Sequence, residues 1–140
     1  MSEAYPGTVR DRSTGSSTAR QLWMGRIVTG IVVLFLAFDA GIKLFGVRQA
    51  VEGTVQLGYS EGSVFVIGVI AAVCLVLYVI PQTAPIGAIL LTGYLGGAIA
   101  TQLRAENPLL THTLFPLYVA GFVLGGLYLR DARVRALLHP

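Results

Sequence analysis

The sequence predicts an all-α integral membrane protein, a four-helix up-down bundle with its N and C termini in the cytoplasm. Three observations carry that expectation. The 140 residues are 54% hydrophobic and only 12% charged, where ordinary globular chains carry about a quarter charged residues. Four apolar stretches, about 22–45, 64–80, 84–103 and 112–129, each approach the ~20 residues that a helix rising ~1.5 Å per residue needs to cross the hydrocarbon core. The 17 glycines fit as well, since membrane helices use glycine more than soluble ones do.

Taken in order, residues 1–21 are rich in Ser, Thr, Gly and Arg without apolar periodicity, which predicts a disordered cytoplasmic tail. Residues 22–138 form one four-span membrane domain. The first stretch is too long for the apolar region of a cleaved signal, and it holds Arg26, Asp39 and Lys43. No small-x-small cleavage site follows, so it reads as an uncleaved signal anchor. In the loop from Val47 to Gly62, Val47, Ala50, Val51, Thr54 and Val55 recur at helical spacing opposite Arg48, Glu52 and Gln56. A short interfacial helix broken at Gly58 is expected. Pro81 and Pro85 force a tight hairpin between spans two and three. Asn107-Pro108 marks a turn before span four. Gly93-x-x-x-Gly97 and Gly121-x-x-x-Gly125 each place two glycines on one face, predicting helix packing through close backbone approach.

Orientation follows from Lys and Arg near the spans. Arg10, Arg12 and Arg20 precede span one and Arg130, Arg133 and Arg135 follow span four, whereas the loops after spans one and three hold only Arg48 and Arg104. The positive-inside rule then puts both tails in the cytoplasm of a multi-pass protein of the cell (inner) membrane. Trp23, Tyr78 and Tyr128 fall near the inner boundary, and Phe65 and Phe115 near the outer one, as an aromatic belt would.

Several function classes are disfavoured. The pI of about 9.4 arises from scattered charges with no basic stripe interleaved with aromatics, so no nucleic acid is expected. Cys74 is alone within span two, which rules out an intrachain disulfide and reads as a buried small hydrophobe. His112 and His139 fall on opposite expected sides of the membrane, so no metal site is expected. Nucleophilic triads, phosphate-cradling loops and paired acids at glycosidase spacing are missing. Nothing in these residues marks independent catalysis.

The chemistry that does stand out lies at the outer ends of the helices. Asp39 and Lys43 are four apart, on one face of span one, with the acid nearer the N-terminus, the better order for a helical ion pair. Ionised side chains at a bilayer centre cost about 2.5–3.5 kcal/mol, and such residues by default mark function. Topology brings the ends of spans three and four to the same level. An outward-facing polar pocket is therefore expected, lined by Asp39, Lys43, Gln102, Arg104 and His112, with Tyr94 deeper and Glu52 closing it from the interfacial helix. A purely structural reading stays open: the pair could fix the depth of span one, with Arg104 and His112 as interfacial anchors.

At these residues the chain resembles the DoxX-like family of small four-helix membrane proteins. The likeness spans roughly Leu22 to Leu138 and rests on Phe38–Lys43, Val55–Tyr59, Leu90–Thr101, Thr111–Pro116 and Gly126–Asp131 taken together. It implies an accessory or scaffold subunit of quinone-linked or redox membrane complexes, with quinone as a possible cofactor and a membrane or periplasmic redox protein as partner. Relatives often have His where this chain has Gln102, and Gln neither titrates near neutral pH nor ligates metals well. A proton-transfer or metal role at that position is not carried over. Two further readings remain: a small-solute or multidrug-type transporter working as a homo-oligomer, and a packing partner for which only the glycine faces matter.

Overall fold

An apolar segment in lipid has no water to satisfy its backbone N–H and C=O groups, so it must close those bonds within itself. The chain does this in each of its four apolar stretches. A computed structural model describes residues 12–139, with side chains from Thr18 onward. Its helices are α1 (Arg12–Leu44), α2 (Arg48–Gln56), α3 (Glu61–Val79), α4 (Ala84–Arg104), α5 (Phe115–Arg130) and α6 (Ala132–Leu138). A single π turn, Leu109–Thr113, leads into α5. Four of these segments are long and apolar enough to cross a membrane: Thr18–Leu44, Glu61–Val79, Ala84–Arg104 and Leu109–Arg130.

Helix α1 corrects one expectation. It begins at Arg12, so the second half of the tail expected to be disordered is helical; residues 1–11 lie outside the described residues. The reason is propagation: adding a residue to an existing helix makes one bond per residue fixed, and Ala19, Arg20 and Gln21 are good helix formers. The other span boundaries fall within three residues of the expected ones. Between α3 and α4 the chain turns over residues 80–83, with Pro85 in the first turn of α4, where its missing N–H has no partner to lose.

The four long helices form a ring. α1 packs against α3 and α5, and α4 packs against the same two, while neither diagonal pair packs along its length. The solid core sits toward the end that holds the termini. There Tyr78, Leu91 and Val123 are completely buried beside Val32, Cys74, Ala84, Ala88 and Leu127. Large apolar side chains also cover the outside: Leu34 is 74% exposed and Ile89 70%. No soluble monomer presents so much contiguous apolar surface, and lipid is its solvent.

The glycines that allow close packing are not the expected ones. A Cβ on Gly93, Gly97, Gly121 or Gly125 would meet nothing within 4 Å. Within the chain, close approach happens instead at Gly25 against Leu129, Gly68 against Lys43 and Leu44, Gly126 against Thr29 and Tyr78, and Gly87 against the Tyr78 backbone. Span four therefore packs through Gly126, the immediate neighbour of Gly125.

Arginines finish the terminal end of the bundle. The last carbonyls of a helix have no partner within it, and cations near them are favoured by the helix dipole. Arg130 Nη2 donates to Tyr78 O at 2.6 Å, with its guanidinium 4.7 Å from the Tyr78 ring centroid. Arg133 Nη2 donates to Pro81 O at 2.7 Å, and Arg135 Nη1 to Tyr128 O and Leu129 O. Tyr78, expected in an aromatic belt, is instead the plug of the core, its hydroxyl donating to Val123 O at 2.8 Å.

Candidate functional site

Asp39 and Lys43 lie on one face of the last two turns of α1, and their partnership is what the spacing dictates: Lys43 Nζ donates to Asp39 Oδ2. Lys43 also donates to the Tyr94 hydroxyl of α4 at 3.3 Å. Tyr94 lies ten residues before the end of α4, about 15 Å along the helix, so the ammonium is drawn into the bundle rather than out to the interface. Gly68 makes room for this. A Cβ there would stand 3.0 Å from Lys43 Cβ and 3.2 Å from Leu44 N. No motif pointed to Gly68, which signals its role only through the helix that lies across it.

Because α1 and α4 stand on the diagonal, the space between them is filled by side chains only in the terminal half. In the distal half it opens into a chamber of about 400 Å³, lined on α1 by Phe35, Leu36, Asp39 and Lys43. Its α4 wall is Gly93, Tyr94, Leu95, Gly97, Ala98, Thr101 and Gln102. A second, polar chamber of about 600 Å³ lies beyond it under α2, with Gln49, Gln56, Asn107 and His112 in its walls. The two share Asp39, Lys43, Thr54, Leu57 and Gln102. The ion pair thus stands at the junction of an apolar room and a wet one.

Helix α2 roofs this junction. It is flanked by two turns that need a left-handed backbone, and glycine occupies both: Gly46 at φ +64° and Gly58 at φ +93°. Its inward face carries Ala50, Gly53 and Thr54, and Thr54 is buried with its hydroxyl bonded to Ala50 O at 2.8 Å. Just after the helix, Tyr59 OH meets Thr101 Oγ1 at 2.8 Å. Thr101 gives its own proton to Gly97 O at 2.9 Å, so Tyr59 donates in that pair.

Of the expected lining, Asp39, Lys43, Tyr94 and Gln102 are brought together, and His112 stands at the polar mouth beside Thr111, with Oγ1 to Nδ1 at 2.8 Å. Gln102 accepts from Asn107 Nδ2, which ties the end of α4 to the turn after it. Two residues do not belong. Arg104 lines neither chamber; it is exposed, and its guanidinium lies where a Cβ on Gly58 would be. Glu52 faces outward and pairs with Arg48 at 2.7 Å. Helical stripes explain the first error: Arg104 continues the row of Gly97 and Thr101, but α4 ends there and the long side chain turns over the loop. Missed in the sequence were Phe35, Phe115 and Thr54. Among the described residues no group of three or more His, Cys, Asp or Glu could hold a metal ion.

The family model for DoxX-like proteins matches residues 27–126. The chain belongs to the DoxX-like family. That match reaches from Ile27, five residues before Val32, to the Gly126 contact, and it takes in every residue that lines the two chambers. Arg130, Arg133 and Arg135 fall outside it. Neither the curated proteins nor the solved structures contain a match to the chain. With four membrane-length helices, this DoxX-like protein is a multi-pass membrane protein.

Proposed function

We propose that this DoxX-like protein is a membrane subunit associated with quinone-linked redox complexes, and that its cavity holds the head group of a lipid-soluble quinone. The single observation that carries the reading is Lys43, which stands at the junction of the two chambers and donates to Tyr94 in the wall of the apolar one. Ligand sites are mostly apolar, run about 300–1,000 Å³ and carry a few convergent polar groups; the 400 Å³ chamber has that character. An ammonium has three donors. Asp39 and Tyr94 take two of those on Lys43, leaving one N–H for a ligand carbonyl. Gln102 supplies further amide hydrogen-bonding capacity at the same junction.

The charge balance favours a neutral head group. A small oxyanion would need surplus positive charge. Arg104 is not in the cavity, and Lys43 is offset by Asp39. With both termini in the cytoplasm, as the arginine distribution favours, the polar chamber opens outside the cell, toward a periplasmic redox partner.

The test is binding of short-chain quinones to the full protein in lipid nanodiscs, alongside a gentle-detergent pull-down for redox partners. Lys43→Met and Tyr94→Phe should each weaken quinone binding while the helical content is unchanged. Wild-type affinity in both variants would remove the reading.

A further inference from the structure

Gly93 and Gly97 sit at i and i+4 on α4, and both line the apolar chamber. A methyl on either would enter open space, with nothing within 4 Å. Their lack of side chains therefore does nothing for packing within the chain. It leaves a strip of bare helix backbone as one wall of the cavity. Helix α1 stands diagonally across from that wall and α5 beside it. Phe35 of α1 and Phe115 of α5 contribute two rings to the chamber, edge to face with centroids 5.5 Å apart and planes at 68°. Lys43 and Tyr94 bring hydrogen-bond donors to the same chamber. Aromatic rings and bare backbone in one chamber, with donors in its wall, form a slot suited to a planar ring that carries an oxygen at its edge.

We infer that Gly93 and Gly97 are specificity-determining residues, selecting a flat fused-ring quinone over a single ring with out-of-plane methoxy groups. This rests on the quinone reading above. Each methyl would take roughly the ~30 Å³ of a water molecule from the slot, out of about 400 Å³. One methyl more or fewer against a bound apolar ligand commonly changes binding about tenfold or more.

The experiment uses the full chain in nanodiscs with two probes bearing the same short isoprenoid tail, a methylnaphthoquinone and a dimethoxybenzoquinone. Wild type should hold the naphthoquinone about tenfold more tightly. Gly93→Ala and Gly97→Ala should each weaken that binding about tenfold while the melting temperature stays level or rises. Gly96→Ala, also in open space but outside the chamber, should change neither. Unaltered affinity in both cavity variants, with Lys43→Met still impaired, overturns the slot and leaves the quinone reading standing. Wild type binding neither probe overturns both. A lowered melting temperature in both variants overturns the open-space geometry on which the selection depends.

Discussion

Removing Lys43 alone should destabilise the protein more than removing both members of its ion pair. Lys43→Met strands the Asp39 carboxylate inside α1, where the side chain is 30% exposed. Breaking a fully buried pair costs about 3–5 kcal/mol, while an exposed pair contributes about 0–1 kcal/mol. A lone carboxylate deep in the bilayer costs about 2.5–3.5 kcal/mol. Discounted for the water that reaches Asp39 from the polar chamber, the loss is roughly 2 kcal/mol, about thirtyfold in the folded-to-unfolded ratio. Asp39→Asn should cost less, because a lone lysine can swing its ammonium toward the interface and a carboxylate on its short stem cannot. The double variant Asp39→Asn/Lys43→Met keeps the volume and leaves no orphaned charge, so it should return to within about 1 kcal/mol of wild type. Unfolding in mixed micelles by titrated dodecyl sulfate, followed by circular dichroism, measures all four corners of the cycle. If the double variant is as unstable as the two single losses summed, the two side chains do not act as a unit and the site as described is wrong.

Two further outcomes follow from the packing and the C-terminal cap. Gly87→Ala drives a methyl into the backbone of Tyr78 and should cost at least the ~1–3 kcal/mol of overpacking, whereas Gly121→Ala meets nothing and should gain about 0.5–1 kcal/mol of helix propensity; the same unfolding titration reads both. Asp131 accepts from Arg133 N at 2.9 Å and from its guanidinium, and those bonds hold its carboxyl below the usual carboxylate range. Its contribution is therefore full above about pH 4 and is lost as pH falls through the lowered value. Hydrogen exchange of the α6 amides should accelerate in acid in the wild type and be insensitive to that drop in Asp131→Asn.

What could be read from the sequence is what depends on a single dimension. Span positions follow from run length, the Asp39–Lys43 pair from a spacing of four, and α2 from one polar and one apolar face. What could not be read is which side of a spanning helix looks inward. A soluble helix advertises its core face by contrast with a polar one. Here the outward residues, such as Leu34 and Ile89, are as apolar as the inward Leu36 and Leu91, so the contrast vanishes. The choice between Gly125 and Gly126 and the depth of Tyr78 both turn on that missing contrast. The chamber role of Phe35 and Phe115 was hidden for the same reason: Phe115 read as an interfacial ring, and the two meet only when α1 and α5 come together.

The plug made by Tyr78, with Arg130 bound across it, closes the terminal end of the interior. A guest resting beneath α2 meets closed packing at that end, where Leu91 and Val123 are both sealed from solvent. The bundle is thus stoppered at one end and hollow at the other.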